Sequence, residues 1–156
     1  MNPNFQTQIH LVDRKTGQIF NKKFYTDVQV TFHHINSYEI YEEDPERHEL
    51  FIDICSYTDF NIEIFNYNEN ESDQVSAFDK LEKKPLPRRI TVPFYKKPDN
   101  TGKVYCEIKD LSNACMELPT INYAKYNAKP YNFAYGHGAS KFSKEHKFRI
   151  FKYNQI

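Results

Sequence analysis

An all-β fold is what this sequence predicts, on three observations. Apolar and polar residues alternate over short runs, the period of a strand whose successive side chains face opposite ways. Turn-forming residues punctuate those runs, as in Arg14-Lys15-Thr16-Gly17, Asp44-Pro45 and Pro98-Asp99-Asn100-Thr101-Gly102. Helical spacing is confined to one stretch, Asp73 to Leu81, and there is no coiled-coil heptad or low-complexity tract. Antiparallel hairpins with one short helical excursion follow. The periodicity fits propeller blades and a sandwich equally well.

Taken in order, Gln8 to Asp13 and Gln18 to Tyr25 flank a turn whose Gly17 can take positive φ, which predicts a hairpin. Val28 to Asn36 is a third strand and Glu49 to Tyr57 a fourth. Between them Glu42 to His48 is charged and broken by Pro45, which marks a solvated hairpin tip, His48 included. Val75, Phe78 and Leu81 recur at helical spacing behind Ser72, a possible N-cap, and Lys84-Pro85-Leu86-Pro87 ends that helix. Strand patterns resume at Arg89 to Tyr95 and Lys103 to Ile108. Further short strands are predicted near Ile121 to Tyr123, Tyr131 to Tyr135 and Lys147 to Tyr153.

With 156 residues, 39% of them hydrophobic, the chain has enough apolar surface for a core and length for one domain, residues 1–156. Lys plus Arg equals Asp plus Glu at 21 each, so no global field recruits nucleic acid or anionic lipid. Lys83-Lys84 and Arg88-Arg89 are short basic clusters separated by prolines, and read as solvated surface. No apolar run approaches the roughly eighteen residues of a transmembrane helix. The polar start, Met1-Asn2-Pro3-Asn4, lacks a signal-peptide stretch. Cys55, Cys106 and Cys115 have no metal-ligand spacing and are expected as free thiols in the cytoplasm. Asn70-Glu71-Ser72 matches a glycosylation acceptor by accident of composition.

Two adjacent histidines stand out in Thr31-Phe32-His33-His34-Ile35-Asn36-Ser37-Tyr38-Glu39. Strict alternation places Val28, Val30, Phe32 and His34 on one face and Gln29, Thr31, His33 and Ile35 on the other. It predicts Phe32 and His34 buried, with His33 on the more polar side. Each histidine is then a metal ligand or a hydrogen-bonded structural residue. In Cys115-Met116-Glu117-Leu118-Pro119, Met116 and Leu118 share a core-like face and Glu117 points the other way. That glutamate is either exposed at a strand start or the acceptor for the second N–H of a metal-bound imidazole, which fixes the ring's tautomer and orientation. His10 sits in the first hairpin, His137 in a glycine-flanked turn, and His146 among Lys144, Glu145 and Lys147. None has a partner at metal-binding spacing. No Ser/His/Asp arrangement, glycine-rich phosphate loop or Cys-x-x-Cys pair is present.

Four segments, Thr31 to Glu39, Phe51-Ile52-Asp53-Ile54-Cys55, Met116 to Tyr123 and Lys129 to Gly136, together resemble the carotenoid cleavage oxygenases. That family includes the β-carotene oxygenases and the retinoid isomerohydrolase of animal eyes, and the resemblance runs in unbroken order from about Val12 to the C-terminus. It implies an incomplete segment of a seven-bladed β-propeller, two blades or slightly more, with one short helical excursion. It further implies Fe(2+) held by four histidines, of which His33 is one, with His34 a packing residue. Glu117 is implied as the outer carboxylate partner of His33. The implied parent activity is cleavage of a conjugated polyene double bond with dioxygen, on an apolar carotenoid or retinoid substrate.

Phe32, Tyr57, Phe60 and Tyr123 can line the apolar tunnel such a substrate needs, or form ordinary core. The retinoid isomerohydrolase branch uses the same site for ester cleavage and polyene isomerisation. Two ligand segments are expected upstream of this chain and one beyond its end, so the chain by itself supplies a single iron ligand. The rival readings are a non-catalytic truncated remnant and a self-sufficient β-sandwich binding module. Peripheral membrane contact is compatible with the parent protein.

Overall fold

The computed structural model describes residues 5–41, 48–58, 84–97, 99, 101–139 and 148–154. Within them the chain forms ten strands and one helical turn. β1 (Gln6–Ile9) and β2 (Lys23–Asp27) pair antiparallel. The tip between them closes as predicted. Val12 bridges Ile19, Gly17 adopts φ of 73°, and the Asp13 carboxylate accepts from the backbone N–H groups of Lys15 and Thr16. β3 (Val30–Ile40), β4 (Glu49–Tyr57), β5 (Leu86–Pro93) and β7 (Glu107–Asp110) form the four-stranded central sheet in that order.

The predicted strand Lys103 to Ile108 is split at Cys106. Its first half, β6 (Lys103–Tyr105), runs parallel to β2, and its second half becomes β7 beside β5. A third sheet has the order β10-β9-β8, from β8 (Glu117–Thr120), β9 (Phe133–Ala139) and β10 (Phe148–Asn154). The strand predicted at Ile121 to Tyr123 is instead the end of a turn and the start of α1 (Tyr123–Tyr126). The Asn122 side chain caps it by accepting from the Lys125 N–H. The helix predicted over Asp73 to Leu81 lies outside the described residues, as does most of the Glu42 to His48 tip.

The central sheet is covered on both faces, which explains why β4 is apolar at nearly every position. Leu50, Ile52 and Ile54 point into a core shared with Phe24, Ile90, Val92, Val104 and Cys106, against the β1-β2-β6 sheet. Phe51 and Cys55, the alternate residues, point into a second core with Ile35, Tyr38, Met116, Ile121, Tyr131 and Ala134, against the third sheet. Phe20, Phe24 and Phe94 add ring contacts to the first core, with centroids 5.9 to 6.2 Å apart. The three cysteines are buried free thiols. Among the described residues, no helix is long and apolar enough to cross a membrane.

The seam between the central and third sheets carries a buried ionic cluster. Asp53, fully buried, receives Arg89 through two hydrogen bonds, Nε to Oδ1 and a terminal NH2 nitrogen to Oδ2, both 2.8 Å. The Tyr131 hydroxyl donates to Asp53 Oδ2 at 2.6 Å. The guanidinium also lies over the rings of Phe51 and Tyr38 at 4.7 and 5.4 Å. Burial works to lower the Arg89 pKa, but the hydrogen bonds and charge of Asp53 outweigh it and raise it. Burial, then the neighbouring Asp53 charge, pushes the Tyr131 phenol up, so it remains a donor.

Candidate metal-facing site on two bulged strands

His33 and Glu117 stand 84 positions apart and meet at the junction of β3 and β8, with His33 Nδ1 2.5 Å from Glu117 Oε2. A carboxylate accepts only, so Nδ1 is the donor in this contact, and in the neutral form of the ring Nε2 keeps its lone pair. The His33 side chain is 42% exposed and the Glu117 side chain 11%. The pair therefore presents a half-open imidazole steadied by a buried acid. Glu117 Oε2 also accepts the Leu118 backbone N–H at 3.0 Å, which fixes the carboxylate's own orientation.

On β3 alternation holds from Thr31 to Ile35, with the His33 side rather than the Phe32 and His34 side turned inward. It breaks at Ile35 and Asn36, and on the β8 side at Met116 and Glu117, and both strands are bulged. Thr31 pairs Ser56 and His34 pairs Ile54, three steps along β3 against two along β4. Asn36 then pairs Asp53, two steps against one. Each extra residue turns the following side chains by half a strand period. The Thr31 hydroxyl donates to the His33 carbonyl at 3.0 Å, satisfying a backbone acceptor within the first bulge. On β8, Glu117 pairs His137 and Thr120 pairs Tyr135, again three steps against two, and Leu118 between them adopts φ of 47°.

These bulges correct the side-chain assignments made from alternation. Phe32 is 50% exposed rather than buried, its ring meeting Tyr57 edge-on at 5.7 Å. His34 is exposed and is not a packing residue, whereas Ile35 and Asn36 are both buried although adjacent. Leu118 is 57% exposed and leaves the core to Met116, which is fully buried, while Glu117, for which both an exposed and an acceptor reading were open, is buried. His137 lies within β9 rather than in a turn, with its side chain exposed. His10 is exposed at the end of β1, and His146 and Phe60 lie outside the described residues.

Sequence reasoning did not single out Cys55 and Cys115 as neighbours of this site. Burial above all, then the charge of Glu117 and the nearby Cys115, pushes the Cys55 thiol far up. It stays protonated. Tyr57, also buried, is raised first by burial and then by its hydrogen bond to Glu117 and that residue's charge, so its hydroxyl remains protonated beside the carboxylate. Among the described residues, no group of three or more His, Cys, Asp or Glu side chains could hold a metal ion.

Gly136, on β9, is what lets β8 come close. A Cβ there would stand 2.6 Å from Met116 Cγ and 3.0 Å from the Glu117 carbonyl oxygen. Met116 is fully buried and the contact is with the stem of its side chain, so it has little room to give. Gly136→Ala is expected to destabilise the chain by about 1–3 kcal/mol, the usual cost of overpacking a filled core. A denaturant unfolding curve checks this, and an unchanged midpoint would show that β8 moves aside freely.

Comparisons with known proteins came out as follows. The sequence model of the family described as retinal pigment epithelial membrane protein matches residues 1–155. The mouse β,β-carotene 15,15′-dioxygenase is 31% identical over 150 residues, covering 83% of this chain and 25% of that protein. The chicken enzyme of the same name is 32% identical over 149 residues, covering 83% of this chain and 27% of its own length. The ferret mitochondrial carotenoid-cleaving dioxygenase is 25% identical over 166 residues, covering 87% of this chain and 29% of that protein. The chain thus spans about a quarter of the length of the curated relatives it matches. A crystal structure of an ACO/RPE65 chimera superposes with a TM-score of 0.66 at 21% identity, over 98% of this chain and 27% of that one, a likeness of fold.

Proposed function

The chain belongs to the retinal pigment epithelial membrane protein family, and from that premise we propose that it is a segment of an iron(II)-dependent oxygenase that cleaves a carotenoid or apocarotenoid double bond with dioxygen. The observation that carries the proposal is the 2.5 Å contact between His33 Nδ1 and Glu117 Oε2. A carboxylate on one ring nitrogen leaves the other available to a metal and fixes the direction in which it points. Ferrous iron is borderline in softness and accepts imidazole, so the donor fits. One imidazole alone does not hold it, and the remaining ligands belong to other parts of a longer protein, a seven-bladed propeller in this reading. Bound iron would supply the activation of dioxygen.

What this chain's own residues do is narrower. His33 offers Nε2, Glu117 holds the ring, and the Leu118 N–H holds Glu117. Phe32 and Leu118, each next in sequence to one member of the pair and at least half exposed, would offer apolar surface to a polyene. The carotenoid-cleaving names of the relatives support an apolar polyene as substrate class.

In a full-length protein that carries this segment, Glu117→Gln is expected to weaken iron retention by about ten- to a hundredfold, the usual effect of removing an outer carboxylate partner. Glutamine keeps the size and an acceptor oxygen but not the charge, so the fold is retained. Iron content after dialysis against graded chelator reads the effect. Retention equal to the parent's would remove Glu117 from the metal centre.

A further inference from the structure

We infer that Asn36 is a positioning residue for the His33–Glu117 pair, clamping the turn after α1 onto β3 so that the two side chains meet. Asn36 is buried, at 6% exposure, and lies three residues beyond His33 at the second bulge of β3. Its Nδ2 donates to the carbonyls of Tyr126 and Lys129 at 3.1 and 3.0 Å, and its Oδ1 accepts the Ala128 N–H at 3.2 Å. Three backbone groups of one turn are thus satisfied by a single side-chain amide, which serves the turn as a substitute strand edge.

That turn is held in a costly shape. Ala128 adopts φ of 55°, a left-handed conformation that residues with a Cβ avoid. Such a conformation persists where its surroundings over-determine it, and here the turn's own Lys129 N–H to Tyr126 carbonyl bond at 3.0 Å is joined by the three bonds of the Asn36 amide. Tyr123, in the helical turn just before, adds a second tie by donating its hydroxyl to the Ile35 carbonyl at 3.1 Å. The stretch from Glu117 to Lys129 is therefore fixed to β3 at both ends, by Glu117 on His33 and by the turn on Asn36. Release of the turn would free β8 to shift along β3, and a shift of about 1 Å is enough to break a hydrogen bond of 2.5 Å. A merely structural amide would hold the turn without affecting the imidazole.

The inference rests on the proposed metal-centre reading for its functional meaning, but its test needs no metal. With the 156-residue chain labelled with ¹⁵N-histidine, long-range ¹H–¹⁵N spectra at fixed neutral pH read which nitrogen of His33 carries the proton. The parent chain is expected to show the single Nδ1–H tautomer that Glu117 imposes. Asn36→Ala, with strand content retained by circular dichroism, is expected to show His33 relaxed to a mixture of tautomers. Tyr123→Phe removes only a hydroxyl from a ring that is 44% exposed, so it leaves the core untouched, and is expected to shift His33 partway in the same direction. An unchanged Nδ1–H tautomer in folded Asn36→Ala, or in Tyr123→Phe should the first variant not fold, overturns the inference. A full-length protein without iron would overturn the metal-centre reading and leave this one standing.

Discussion

In a full-length protein carrying this segment, His33→Ala is expected to abolish stoichiometric iron, and His34→Ala to leave it in place. The two residues are neighbours of the same type, so the contrast isolates orientation. His33 has its Nδ1 on Glu117 and one nitrogen left for a ligand role, whereas His34 is exposed and stands opposite Ile54 on β4. In the proposed centre, removing one of four imidazoles would leave a first-row ion with too few nitrogen donors to compete with water, since selectivity in such centres comes from ligand number and geometry. The same change takes one of its donors from a buried carboxylate that keeps the Leu118 N–H, a cost of about 1 kcal/mol in stability. At His34 the change touches only surface and is expected to stay within about 0.5 kcal/mol. Metal analysis with a parallel thermal melt separates the effects. Full iron occupancy in His33→Ala would sink the ligand assignment, and loss of iron in folded His34→Ala would move it one residue on.

How much of this was legible in the sequence depends on the period of the strand. β4 runs over the same residues as the predicted fourth strand, and β5, β9 and β10 lie within a few residues of theirs. Each is a regular strand with a strongly apolar pattern, so a period of two reads it correctly. The first hairpin was legible through Gly17, whose positive φ the turn requires. What alternation could not reach is the site itself. Two bulges on β3 and one on β8 insert residues that no periodicity announces, and they decide that Glu117 faces inward and Leu118 outward. His33 and Glu117 were found through family resemblance, because a contact across 84 positions has no local signal. Asn36 carried no signal at all. A buried asparagine in a strand looks like an ordinary polar residue until the turn it satisfies is in place. Bulges concentrate beside functional sites, so the failure of simple alternation at Asn36 and Glu117 is itself informative.

Arg89→Ala is expected to cost about 3–5 kcal/mol of stability, the penalty for leaving a buried carboxylate without its cation. Asp53 is fully buried and takes both of its Arg89 hydrogen bonds at 2.8 Å, so solvent has no ready access to replace the guanidinium. The loss includes packing as well as charge, since the guanidinium covers Phe51 and Tyr38. Set against a total of about 5–15 kcal/mol for an ordinary domain, that removes between about a fifth and the whole of the stability. The charge and packing contributions separate in a double-mutant cycle with Asp53→Asn. If the ion pair carries the effect, the double variant is more stable than the sum of the two single losses predicts, because a neutral amide in place of the carboxylate no longer needs the cation. Denaturant midpoints for the four proteins measure it. A loss below about 1 kcal/mol in Arg89→Ala would show that Asp53 is hydrated after all. The consequence reaches the site through Tyr131, whose hydroxyl bonds the same carboxylate and which packs in one core with Met116, the residue before Glu117. A charge pair on the central sheet thereby helps to keep the acid of the third sheet within reach of the imidazole.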